Sequence, residues 1–311
     1  MPTRRVLGID LCLSGHLQAS DNLDYVYGLL AVTKAPIVPD YAKSISEVYS
    51  EFTEWLVKGS NRILGTIPRG TPKDARFFWG VWTRTPLALD SFMDCRPGPP
   101  SSLFRKGERT LDSRTTTSVH LAISGNSLWT EAILVQTIKT VCHKPVPRQV
   151  SQNRFSFVDI VLEEYGRTTY FNGKSVLEIV CCTCLLKPDD TYDTDDYFRL
   201  SGMIQCASIV DTSVYDEHSV EIFQEWESAC YLLSERRMFI TEDGYIGLIG
   251  EEVLPGDVVF CVAGCRYFTV LRPKDDHYLF VDSCFVIGLM DGEIKYLLKE
   301  RRVKAEIIEL R

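Results

Sequence analysis

Residues 236–293 constrain this chain more than any other stretch. Short apolar runs alternate there with turn chemistry. Residues 238–241, 245–249, 258–263, 267–271, 278–281 and 285–289 are each strand-length and rich in aromatic and β-branched side chains. Asp243-Gly244, Pro255-Gly256-Asp257, Gly264-Cys265, residues 273–276 and Asp291-Gly292 stand between them as turns. Short strands at this regular spacing predict a small barrel or sandwich. The glycines supply positive φ at little steric cost, and Pro255 presets the φ of a turn. No catalytic motif accompanies this fold signal.

The chain has 311 residues, 45% apolar and 24% charged, which is the composition of a globular protein with a sizeable core. Its net charge of −8 disfavours a general nucleic-acid surface, which needs clustered Lys and Arg. The basic cluster at 299–304 is interrupted by Glu300 and Val303 and reads as a solvated face. No apolar run is long enough to span a membrane. Asp10 interrupts the short apolar run near the start, so no signal peptide is expected either. The 11 scattered cysteines fit buried small hydrophobes in a reducing compartment. An intracellular location, cytoplasmic or nuclear, is the expectation.

Along the chain, residues 6–17 predict a helix. Ser20-Asp21 is an N-cap for a second, with Leu23, Val26, Tyr27 and Leu30 at helical spacing. The clearest helix opens on a capping box, Ser44-x-x-Glu47, in which hydroxyl and carboxylate satisfy reciprocal backbone N–H groups. Ile45, Val48, Tyr49, Phe52, Trp55 and Leu56 form its apolar face, and Gly59 is its expected C-cap. Prolines forbid a long helix in residues 60–117, where Phe77, Phe78, Trp79 and Trp82 predict an ordered loop packed over a neighbour. Residues 119–124 alternate as a strand, Gly125-Asn126 offers a turn, and 128–141 contain a second extended run. Pro145 and Pro147 mark a linker.

From residue 154 the period becomes helical. Phe157, Ile160, Val161 and Glu164 fit one helix, and Val176, Ile179, Val180, Thr183 and Cys184 a second. Phe198, Met203, Ile204 and Ile209 suggest a third. Val220, Phe223, Glu227, Cys230, Tyr231 and Ser234 follow a fourth. Residues 294–311 are a charged tail whose periodicity leaves strand and helix open.

Candidate chemistry is sparse. Cys181-Cys182-x-Cys184 looks like half a zinc site, but the nearest second pair is Cys261-x3-Cys265 and no His lies near either. Structural cysteines are the favoured reading. The acidic run at 189–196 lacks the Gly and distal Glu of a calcium loop and reads as a solvated loop that caps the next helix. There is no nucleophile elbow, P-loop or dinucleotide fingerprint, and the five histidines sit outside any signature. No catalytic, metal-binding or cofactor-binding residue is assigned.

Two stretches together resemble the fungal heterokaryon-incompatibility (HET) proteins. Residues 20–56 are similar to the family run S-D-P-R-D-K-V/I-Y-A/G-L-L-G followed by P-D-Y-S-K-S-x-x-E-V-Y. Its most telling positions are Asp21, Asp24, Tyr27, Pro39, Asp40, Tyr41, Ser44 and Glu47; Asn22, Leu23 and Tyr25 depart from the usual Pro, Arg and Lys. In the second stretch, Arg237, Gly244, Gly247, Gly256, Asp257, Arg272, Gly288, Asp291 and Gly292 resemble the C-terminal signature. Residues 121–141 match more weakly. The A-L-S-Y-x-W-G and W-I-D-x-x-C-I-N-Q motifs of the N-terminal HET domain are absent. By resemblance that domain triggers cell death after non-self recognition, so its activity is carried over to no residue here. The chain is expected to begin near the end of that domain, as a truncated gene product or a standalone C-terminal region.

These readings predict an α+β protein. Residues 118–142 and 236–293 form one small antiparallel β-barrel, because the first segment has too few strands to be stable alone. Residues 154–235 are a helical insertion. A helical segment at 1–65, resembling the end of a HET domain, and irregular packed loops at 66–117 precede the barrel. The resemblance implies a non-enzymatic regulatory or recognition region in allorecognition. Its partners would be proteins, a HET-domain protein supplied in trans among them. A hydrolase or NAD-consuming enzyme with a dispersed site, and a degenerate remnant, are the alternatives.

Overall fold

A computed structural model describes residues 20–60, 122–124, 127–143, 145–146, 159–165, 169–185, 193–205, 212–233, 236–262, 268–289 and 293–311. The helix expected at 6–17, the loops at 66–117, the turns at 125–126 and 264–265, and Asp291 and Gly292 lie outside these residues.

Residues 20–60 build a small helical unit with its own core. Two short turns, α1 (Asp24–Tyr27) and α2 (Leu30–Thr33), precede the long α3 (Ile45–Ser60). The expected single helix at 23–30 is thus split, because the chain leaves helical pairing at Gly28-Leu29. Val48, Tyr49 and Phe52 of α3 are fully buried against Leu23, Val26, Tyr27, Leu29 and Ile37, and Ile45 and Trp55 are partly buried beside them. The helix continues through Gly59 to Ser60, correcting the expected C-cap. Glycine permits the left-handed conformation that ends a helix but does not impose it.

The β segments join in one sheet. Its strands are β1 (Ala122–Ser124), β2 (Ser127–Val141), β3 (Arg237–Thr241), β4 (Ile246–Ile249), β5 (Val258–Val262), β6 (Phe268–Lys274), β7 (His277–Val286) and β8 (Ala305–Leu310). Six of them close a ring in the order β2-β3-β4-β7-β6-β5, with β5 pairing back onto β2. Every pairing in the ring is antiparallel. The long strand β2 makes this possible. It pairs with β5 through residues 132–137 and with β3 through residues 138–141, and register shifts mark both contacts. Such bulges bend and twist a strand, as a ring requires.

One detail departs from expectation, and one that the sequence left open is resolved. The runs 278–281 and 285–289 are not separate strands: β7 is continuous through Asp282, Ser283 and Cys284. A buried Asp in the middle of a strand reads as a break only until its partner is found. The charged tail is folded into helix α8 (Ile294–Lys299) and strand β8, which pairs antiparallel with β2 over residues 128–133. Ile308 and Leu310 join Leu128, Phe260 and Leu271 in a second, smaller core.

The segment between β2 and β3 is helical: α4 (Asp159–Tyr165), α5 (Val176–Leu185), α6 (Thr194–Gln205) and α7 (Glu217–Leu232). Nine of the residues in α5 are buried, so this helix is enclosed on all sides. It begins at a second capping box, Ser175-x-x-Glu178, whose bonds run Ser175 N–H to Glu178 Oε2 (2.6 Å) and Glu178 N–H to Ser175 Oγ (3.2 Å). The inner face of α6 is Tyr197, Leu200 and Met203. Phe198, expected inside, is 75% exposed, since it stands one position off that face. The buried face of α7 is Ile222, Phe223, Trp226, Ala229 and Cys230; Glu227, placed on that face from spacing, is only half-buried. The expected linker after β2 is tied down, with Val146 buried and its N–H donating to the Arg236 carbonyl.

Candidate functional site

Most of the described signature residues gather at three joints. In the first, Asp40 and Tyr41 are laced to α1 through Tyr27 and Asp24. The Tyr27 hydroxyl donates to the Asp40 carbonyl (2.8 Å) and accepts from the Asp40 N–H (3.0 Å). The Tyr41 hydroxyl donates to Asp24 Oδ1 at 2.6 Å, which raises the Tyr41 pKa, and its ring meets Tyr27 edge-on. Asp21 Oδ1 accepts from the Leu23 N–H and Asp40 Oδ1 from the Ala42 N–H, both turn bonds. Ser44 and Glu47 form the expected capping box, and the bonds from Ser44 hold the Glu47 carboxyl below its usual range. Pro39 is exposed.

The second joint is the turn before β5. Asp257 N–H donates to the Leu254 carbonyl, with Gly256 at φ 92°, so Pro255-Gly256 occupies the centre of a turn that needs glycine at its third position. The turn grips β2, because Gly256 N–H donates to the Ile138 carbonyl and Ile138 N–H to the Asp257 carbonyl. The buried Asp257 carboxylate accepts both arms of Arg272, Nε and Nη2, each at 2.8 Å. It also accepts the Leu254 N–H at 2.9 Å. Arg272 reaches on to the Glu252 carbonyl, and the Asp257 bonds raise its pKa.

The third joint seats the helical insertion on the ring. Gly247 lies flat between neighbours: a Cβ there would overlap the Phe285 carbonyl oxygen and approach the Phe239 ring to 2.5 Å. Gly244 (φ 90°) faces the Tyr165 hydroxyl, and Gly288 (φ 82°) lies under Phe171. Phe171 contacts Tyr170 and Tyr245, with ring centroids 3.8 and 4.8 Å apart. The Tyr170 hydroxyl accepts from the Ile246 N–H and donates to the Ile287 carbonyl, bridging β4 to the chain beyond β7. Burial pushes the Tyr165 pKa up to about 12.

Sequence reasoning missed a fourth feature. Arg236 and Asp282 are both buried, with Nη1 3.7 Å from Oδ2. Arg236 Nη1 donates to the Ser283 carbonyl, and Ser283 N–H donates to Asp282 Oδ1. Burial raises the Asp282 pKa against the pull of Arg236, and burial likewise pushes the Cys284 thiol up. No sequence signal pairs these residues: Arg236 immediately precedes β3 and Asp282 lies within β7. The Ser175–Glu178 box was missed as well, although its Ser-x-x-Glu spacing carries the signal.

An open cleft of about 420 Å³ is lined by His143, Pro145, Arg237, Glu251 and Glu252. Arg237 alone among them belongs to the signature, and its guanidinium is engaged by the Glu251 and Val253 carbonyls. Among the described residues no three His, Cys, Asp or Glu side chains are grouped to hold a metal ion. Cys181, Cys182 and Cys184 are buried in α5 and form no disulfide. Of the acidic run, Asp193 and Asp196 cap α6 through Asp196 N–H to Asp193 Oδ1 (2.8 Å). No helix among the described residues is long and apolar enough to cross a membrane.

A closed ring of antiparallel strands carrying an inserted helical block defines an α+β module whose signature side chains serve as joints. Residues 211–304 match the family model described as the Het-6 beta-barrel domain, so the chain carries a HET-family protein region. The family is fungal. The match covers β3 to β7 but stops short of β8 and begins well after β2, the strand that closes the ring. No curated protein and no solved structure matches this chain.

Proposed function

We propose that this chain is a non-enzymatic recognition or regulatory region acting in fungal heterokaryon incompatibility and the cell death associated with it. Its small β-barrel is the scaffold, and its partners are intracellular proteins, including a HET-domain protein supplied in trans. The family match at 211–304 supports the setting. The observation that carries the non-enzymatic reading is the use made of the signature groups. Asp257, Arg272, Tyr27 and Asp40 each spend their hydrogen bonds on backbone or on one another. The test is a calorimetric titration of the purified chain against a purified HET-domain protein, with turnover of NAD and of a glycoside panel followed in parallel. Saturable binding without turnover is expected. Turnover without binding overturns the proposal.

One observation favours an enzymatic alternative: the cleft brings two carboxylates and an imidazole to one rim. If that rim is a hydrolytic or NAD-consuming site, activity is lost in Glu251→Gln and Glu252→Gln while the fold is kept, because both side chains are exposed.

A further inference from the structure

We draw no further inference here: the strongest candidate, the surface patch where the exposed Phe171 ring lies over Gly288 and against Tyr245, is an unpartnered apolar face, and nothing in the structure shows what covers it.

Discussion

Glycine performs two separable tasks in the ring, and alanine substitutions tell them apart. At Gly256 an added Cβ meets nothing within 4 Å, so only the positive φ is strained. Gly256→Ala is expected to cost about 1 kcal/mol. At Gly247 the Cβ would collide with the Phe285 backbone, which cannot swing aside as a side chain can. Gly247→Ala is expected to cost more, about 3 kcal/mol, through forced strand separation. Denaturant titration of both variants checks the order; equal losses would show that the close packing of β4 on β7 is wrong.

Asp282 makes the stability of this fold respond to acid in an unusual direction. Its folded-state pKa is raised, so the folded chain holds the proton more tightly than the unfolded one does. Its contribution is therefore fully present below the unfolded value and is lost as pH rises through the folded value. Capped carboxylates such as Glu47, whose pKa is lowered, behave oppositely: their contribution is lost as pH falls. Relative to Asp282→Asn, the wild-type chain should gain stability as pH is lowered toward the ordinary carboxylate range. Thermal melts of the two proteins across that range give the sign directly.

At the scale of elements, β2 is the strand on which the ring depends. Its register places Ile133 opposite Cys261 of β5. Ile133→Cys is expected to form a cross-strand disulfide with Cys261 under mild oxidation, visible as a mobility shift without reductant. A strand slipped by one residue would turn the new thiol to the other face and leave the bond unformed. Arg236 and Asp282 couple the start of β3 to the middle of β7. Removing either partner strands a buried charge, whereas replacing both by apolar residues removes the desolvation cost along with the attraction. The double variant Arg236→Met/Asp282→Leu should therefore be more stable than either single one, by about 2 kcal/mol or more. Additive losses in that cycle would mean that the two charges do not face each other.

For the whole molecule, the folding unit is discontinuous in sequence. Residues 211–304 leave the edges of β3 and β5 bare, because β2 covers both. That fragment is expected to be unfolded or aggregated, while residues 118–311 should melt cooperatively. Circular dichroism and limited proteolysis of the two fragments distinguish them. A well-folded 211–304 fragment would show that β2 is dispensable.

Much of the local structure was legible in the sequence by itself. The capping box at Ser44, the turn at Pro255-Gly256-Asp257 and most strands from 237 to 286 follow from interactions between residues a few positions apart. Such interactions leave a trace in spacing and residue type. Only the tertiary structure decided that β2 closes the ring between β3 and β5, that Asp282 continues a strand because Arg236 meets it, and that Phe198 faces outward. Each of these depends on partners or packing supplied from distant parts of the chain. Periodicity reports which face of an element is apolar, but the choice of neighbour is made by closure, burial and charge in three dimensions.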